Sequence, residues 1–240
     1  MLNEDFKKPI YLQLRENIRN KIEEGEYQPG TAIPSENTLA KTFGINRITI
    51  RNAVDALVNE GLLKRVQGKG VFVVGQKLSV SIEGTGGFIS DSMDVNRNVS
   101  IKEVMKIVRI ANNKYANLFN IDLNDEIYQI RHIAHIAGEE VAAEDYFFPA
   151  SIIPSFDNVN TSIFTFKDIF SFYGIKQSKM TQTLDVVKGP MKIRKMLNTP
   201  NGVMLFLLEC DYYGENNQII AHSVTYIRSD KQSFTVDLHK

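Results

Sequence analysis

"IPSENTLAKTFGINRITIRNAVDALVNEGLLKRVQGKGVFVV" occupies Ile33 to Val74. Between Lys41 and Gly70 it holds Lys41, Arg47, Arg51, Lys64, Arg65 and Lys69 against only Asp55 and Glu60, a local excess of four positive charges. The whole chain of 240 residues balances 28 basic against 28 acidic side chains. A cationic patch inside a neutral chain points to a polyanion touched by this stretch alone, because phosphate contacts depend on the patch and not on the total. Local punctuation divides the stretch. Ser35 caps a short helix with Leu39, Ala40 and Phe43 on its apolar face, and Gly44 ends it. Asn46 caps another from Arg47 to about Glu60, with Gly61 just past its end. "LLKRV" and "VFVV", joined by "QGKG", read as a hairpin. Upstream, Leu14, Ile18 and Ile22 recur at every fourth position between Pro9 and about Glu24, the stripe of an amphipathic helix stopped at Gly25. Helix, helix, helix, hairpin is the order of a winged helix-turn-helix, predicted over residues 1–75.

The remaining composition sets limits. A length of 240 residues suggests two domains, and 43% hydrophobic residues suffice for a core in each. The first residues, "MLNEDFKKPIYLQLREN", carry charges throughout and do not read as a signal peptide. The longest apolar candidate, "GVMLFLLECDYYG", is far short of a membrane span and reads as a buried strand. Cys210 is the single cysteine, which leaves no disulfide framework and no thiol metal site. A soluble cytoplasmic protein without metal, cofactor or membrane partner is expected.

Residues 76–87, "QKLSVSIEGTGG", are polar with a glycine cluster and read as a linker. Beyond them, residues 88–240 are strand-rich: "SIKEVMKIVRI", "EIYQIRHIAHI", "EEVAAEDYFFP", "MTQTLDVVKG", "GVMLFLLECDYY" and "IIAHSVTYIRS". Short helices are expected around Lys114–Phe119, Phe166–Tyr173 and Met191–Met196. The second half is thus an α+β domain on a mainly antiparallel sheet.

The third helix carries the chemistry. At about 100° per residue, Ile50, Ala53, Val54 and Leu57 share one stripe, whereas Arg47, Ile48, Arg51, Asn52 and Asp55 share the opposite one. Cations in the first turns oppose the helix dipole, so something other than helix stability accounts for them. In a helix-turn-helix those turns meet base edges in the major groove, where an Arg fork binds guanine O6 and N7. The expectation is that Arg47 and Arg51 project outward, not neutralised by the protein's own acids. Lys64, Arg65 and Lys69 surround a hairpin tip suited to groove or phosphate contact.

Residues 9–74, through "PIYLQL", "PGTAIPSENTLA", "FGINRITIRNAVDALVNEGLL" and "QGKGVFV", resemble the N-terminal domain of the GntR superfamily of bacterial transcription regulators. The rest, through "GGFISDSM", "IRHIAHIAGEEVAAEDYFFP", "TSIFTFKDIFSFYG" and "VTYIRSDKQSF", is similar to the effector-binding UTRA domain of the HutC subfamily, a fold like chorismate lyase. The resemblance implies that Arg47 and Arg51 contact an operator, with Gly68 at the wing tip. Ser35, Asn37, Asn46, Ile48, Thr49, Asn52, Gln67 and Lys69 complete the expected DNA-binding set. Asn37 stands where the family usually has Arg, which puts operator preference in question. Thr38 stands where it usually has Glu, which removes the capping-box partner of Ser35.

In "YQIRHIAHI" alternation sets His132 among apolar residues, and Glu144 shares a face with Ala142, Tyr146 and Phe148 in the next strand. A carboxylate in such company needs a partner. By resemblance the effector-binding set is Phe88, Ser90, His132, Glu144, Ser162 and Phe164, with Phe88 and Ser90 in a loop whose amides receive an anion. Regulators of this type that bind sugar phosphates carry two Arg where this chain has His132 and Ala134, so the phosphate clamp is incomplete. The reading is a homodimeric repressor that binds a short inverted repeat of double-stranded DNA and is released by a sugar phosphate, amino sugar or amino-acid derivative. An enzyme of chorismate-lyase-like fold is the alternative. His132 with Glu144 is its sole acid–base candidate, and no catalytic residues are assigned.

Overall fold

The computed structural model describes residues 9–75 and 99–232, which divide into two compact units. The predicted linker, together with Phe88 and Ser90, lies outside the described residues.

In the first unit, α1 spans Ile10–Glu23, α2 Glu36–Phe43 and α3 Arg47–Asn59, followed by β1 (Leu63–Val66) and β2 (Gly70–Val73). Ser35 caps α2 by accepting from Thr38 N–H at 3.1 Å, and the Thr38 hydroxyl meets Ser35 Oγ at 2.8 Å. Threonine thus supplies a contact of its own in place of the missing capping-box glutamate. Gly44 closes α2 in the left-handed region (φ 65°), which only a residue without Cβ adopts at no cost. Asn46 then caps α3 by accepting from the Thr49 N–H (2.9 Å) and hydroxyl (3.0 Å). Leu14 and Ile18 of α1 meet Leu39, Ile50, Ala53, Val54 and Leu57, with Leu63 and Val73 of the hairpin closing the core. Burying each large aliphatic side chain stabilises the fold by about 1.5–3 kcal/mol. The hairpin gains a third edge that periodicity did not reveal: Ala32 bridges Phe72, and Val73 N–H donates to Thr31 C=O at 2.9 Å.

The second unit is a six-stranded antiparallel sheet in the order β3-β4-β5-β8-β7-β6. Its strands are β3 (Val99–Ile110), β4 (Glu126–Ile136), β5 (Glu139–Pro149), β6 (Gln177–Val187), β7 (Leu205–Gly214) and β8 (Ile219–Arg228). Three helices accompany them: α4 (Asn112–Phe119), α5 (Phe166–Phe172) and α6 (Met191–Met196). The β4–β5 turn puts Ala137 and Gly138 at positive φ. Tyr115, Ala116 and Phe119 of α4 pack on Ile127 and Phe147, and Ile193 of α6 packs with Ile133, Ala143, Leu197 and Leu205. Phe166 and Phe170 of α5 join Tyr146, Phe148 and Phe156 in an aromatic cluster around one end of the sheet. The single Cys210 is buried in β7, where burial pushes its thiol up to about 11. Among the described residues no helix is long and apolar enough to cross a membrane.

Candidate nucleic-acid interface and ligand-binding face

The apolar stripe of α3 faces the core as the helical wheel requires, and Ile50, Ala53, Val54 and Leu57 are all fully buried. Its opposite stripe lies in the open. Ile48 is 75% exposed, and the Arg47 and Arg51 side chains are 58% and 52% exposed. Asn37 and Asn52 are exposed, as are Gln67, Gly68 and Lys69 at the hairpin tip. Lys69 N–H donates to Val66 C=O (3.1 Å), and Gly68 takes φ 73°, so the tip bends back within three residues. Ser35, Asn46 and Thr49 stand at the helix starts with their side-chain oxygens already engaged in caps.

One expectation is corrected. Arg47 and Arg51 do not project without an acid partner: Glu36 Oε2 accepts from Arg47 Nε and Arg51 Nη2, each at 3.2 Å. Its other oxygen accepts from Arg65 Nη1 of the wing at 2.6 Å, and Arg65 also bonds Asp55 at 2.5 Å. The cause is geometric. Glu36 opens α2 and faces the start of α3, where three guanidinium groups converge on one nearly buried carboxylate (side chain 10% exposed). Burial pushes the Glu36 carboxyl up, but bonds from Arg65, Arg51 and Arg47 outweigh it and hold it down to about 2. The neutralisation is partial: three cations share Glu36 and Asp55, and both α3 arginines remain more than half exposed. Such a cluster presents pre-aligned forks at low entropic cost.

On the sheet, His132 and Glu144 stand directly opposite each other on β4 and β5, and Thr225 of β8 stands opposite Glu144. Thr225 Oγ1 donates to Glu144 Oε1 at 3.0 Å, with both groups buried. One row along, Tyr146, Ser223, Cys210 and Gln182 follow across β5, β8, β7 and β6 on the same face. Tyr212 O–H lies 3.3 Å from Ser223 Oγ. His132 Nε2 meets Thr161 Oγ1 at 2.7 Å, Thr161 donates to Glu103 at 2.5 Å, and Lys106 lies 3.3 Å from Glu103. Burial, with a smaller push from the Lys106 ammonium, lowers His132 to about 4, so at neutral pH the imidazole is uncharged. Ser162 is half-buried and its Oγ accepts from Glu103 N–H at 3.1 Å; Phe164 is buried. The face therefore brings His132, Glu144 and Ser162 into one polar neighbourhood. Glu103, Thr161, Ser223 and Thr225 belong to it as well. The alternation of "HSVTYI" already sets Ser223 and Thr225 on one side; what joins them to Glu144 is the long-range β5–β8 register. A separate open depression lies on the opposite face, lined by Lys114, Leu118, Thr181, Thr183, Glu209, Asp211 and His222, with His222 Nδ1 2.7 Å from Asp211.

A winged helix with a cationic reading face, carried with a sheet domain that holds a polar, partly buried cluster, defines a DNA-binding transcription regulator. The chain belongs to the gntR family of bacterial regulatory proteins, whose model matches residues 10–73, and residues 96–233 match the UTRA domain. It is similar to a probable fructoselysine utilization operon transcriptional repressor of Shigella flexneri, 28% identical over 95% of this chain and 94% of that protein. It is also similar to the HTH-type transcriptional repressor NagR of Bacillus subtilis (strain 168), 25% identical over 97% of this chain and 96% of that one. The crystal structure of PhnF from Mycobacterium smegmatis superposes with a TM-score of 0.60 at 19% identity, covering 96% of this chain and 99% of that one, which establishes the shared fold. Membership in this family makes the protein a regulator and not an enzyme, so the chorismate-lyase-like alternative is set aside.

Proposed function

We propose that the protein is a homodimeric cytoplasmic repressor of a catabolic or uptake operon, reading a short inverted repeat and released by a small metabolite. The carrying observation is the start of α3, where Arg47, Ile48, Arg51 and Asn52 stand exposed over a fully buried opposite stripe. Arg51 and Arg47 then read base edges in the major groove, and Gln67, Gly68 and Lys69 of the wing hold the backbone. Ser35 and Asn46 contribute through the helix starts they cap, whose free amides suit phosphate.

The effector-binding group comprises His132, Glu144, Ser162 and Phe164, with Phe88 and Ser90 assigned to it from the sequence. A neutral His132 and the carboxylates of Glu144 and Glu103 oppose a dianion at this end of the face. An amino sugar or sugar–amino acid conjugate suits it better than a phosphate held there. The Shigella flexneri relative, described as a fructoselysine operon repressor, supports that choice. DNA and effector must alter each other's affinity by the same factor.

DNase footprinting against genomic fragments, repeated with glucosamine, fructoselysine and glucose 6-phosphate, tests the reading. A protected palindrome that an amine-bearing compound releases is the expected result. Absence of any protected palindrome overturns operator recognition, and release by the phosphate alone overturns the effector assignment.

A further inference from the structure

The face of the sheet turned away from Glu144 is only partly roofed. α4 has eight residues and is about 12 Å long, and Tyr115, Ala116 and Phe119 anchor it on Ile127 and Phe147 of β4 and β5. Lys114 and Leu118, four residues apart on one side of α4, border the open depression of about 230 Å³ beside it. Strand register builds the floor. Thr181, Asp211 and His222 stand opposite one another across β6, β7 and β8, and Thr183 stands opposite Glu209 in the next row of the same face.

This floor holds hydrogen-bonding capacity that the fold itself leaves unused. His222 Nδ1 lies 2.7 Å from Asp211 Oδ1, and a carboxylate only accepts, so Nδ1 carries the proton and Nε2 of the neutral ring presents a lone pair. The His222 side chain is 8% exposed, yet its Nε2 is buried with no hydrogen-bond partner among the described residues. A buried acceptor without a donor is costly, and a histidine that serves packing alone normally avoids it. Glu209, half-buried, adds a second carboxylate that no cation of the described residues pairs. Acceptors thus dominate the floor. Lys114 is the one cation among the lining residues, and it stands exposed on the helix rim with its ammonium 5.1 Å from the Tyr115 ring centroid.

We propose that this depression is a second ligand site, which takes a small zwitterionic α-amino acid with its ammonium on Glu209 and His222 Nε2 and its carboxylate on Lys114. Acceptors below and an ammonium at the rim match a molecule that carries both charges on a short frame, and Leu118 meets a short apolar side chain. A volume of about 230 Å³ accommodates a molecule of that size. Two carboxylates on the floor disfavour a phosphate. A metal ion is not the occupant either, because no three acids and histidines of the described residues group to hold one. The site lies on the opposite face from His132 and Glu144, so it goes beyond the effector assignment and does not depend on it.

Long-range proton–nitrogen correlation spectra of the full chain test it, since they report the ring nitrogens of its four histidines and His222→Gln identifies the signals of one. Titration with L-alanine should move His222 Nε2 saturably, as its lone pair gains a donor, with a Kd on the order of 1 mM. Glu209→Gln should weaken that binding about tenfold. Lys114→Met should weaken L-alanine about tenfold and leave ethylamine, which lacks the carboxylate, within about twofold. The titration of the unaltered chain keeps the test decisive should either variant fold poorly. No saturable movement of Nε2 up to about 50 mM L-alanine, or an affinity that Glu209→Gln and Lys114→Met leave unchanged, overturns the site. A response confined to His132, or one that Glu144→Gln abolishes, assigns the amino acid to the effector face and overturns the second site while leaving the effector reading in place.

Discussion

Glu36→Gln probes the carboxylate on which three arginines of the first unit converge. The substitution keeps the size of the side chain and removes the charge to which Arg65 (2.6 Å), Arg51 (3.2 Å) and Arg47 (3.2 Å) are bound. Glu36 falls from 4.5 to about 2 in the folded protein. At about 1.36 kcal/mol per pH unit, that drop corresponds to a ceiling of about 3.4 kcal/mol. The arginine side chains are 38–58% exposed, and exposed pairs contribute only about 0.2–1 kcal/mol each, so the expected loss is about 1–2 kcal/mol. The sign follows from proton counting. The unfolded carboxyl binds its proton more readily, so the contribution is complete above about pH 4.5 and disappears as pH falls through about 2. Urea unfolding of both proteins between pH 7 and pH 2, followed through amide exchange in α3, separates this unit from the sheet domain. Glu36→Gln should be less stable at pH 7 and converge on the wild type toward pH 2. A deficit that is independent of pH, or no deficit at pH 7, refutes the role assigned to the carboxylate.

In fluorescence-anisotropy titrations, Arg51→Ala should lose about 1–3 kcal/mol of discrimination between operator and random DNA, whereas Lys69→Ala should weaken both equally and flatten the salt slope by about one unit. Equal losses on the two DNAs for Arg51→Ala count against base reading. His132 lies at about 4 when folded and near 6.5 when unfolded, so it favours folding fully above pH 6.5 and ever less as pH falls toward 4. His132→Gln should therefore flatten the thermal-melting profile over that interval, and an unchanged profile would show the imidazole is not the titrating group. Cys210, buried with its thiol near 11, should resist alkylation by iodoacetamide in the native protein and react once the chain is unfolded; rapid native labelling would contradict its burial. Glu144→Gln should leave operator binding within about twofold while abolishing effector-dependent release in the footprinting assay, and retained release removes Glu144 from the site.

Much of this architecture was readable because local signals dominate it. Ser35, Gly44, Asn46 and Gly61 punctuate the first unit within a few residues of each helix end, and the four-residue spacing of Leu14, Ile18 and Ile22 needs no tertiary knowledge. The strands of the second unit are likewise legible to within about three residues, since period-two alternation is local. What escaped depends on distant pairing. The bridge of Ala32 to Phe72 hides in a turn-rich segment, and the convergence of Glu36 with Arg47, Arg51 and Arg65 requires α2, α3 and the wing to be already packed. The neighbours of Glu144 came from β8, about eighty residues away in the chain, so the alternation of "HSVTYI" could not by itself identify them. Alternation sets His132 among apolar residues and the resemblance places it in the effector-binding set, but its bond to Thr161, itself bonded to Glu103, is visible only in three dimensions.

The shared carboxylate also bears on how this reader can diversify. Ile48 and Asn52 are surface positions on α3 to which no hydrogen bond of the Glu36 cluster extends, so drift there can retune sequence preference at little thermodynamic risk. Arg47 and Arg51 are different: replacing either leaves Glu36, whose side chain is only 10% exposed, with fewer counter-charges. New specificities at those two sites should consequently arise together with a change at Glu36, an epistasis written into the geometry of one side chain.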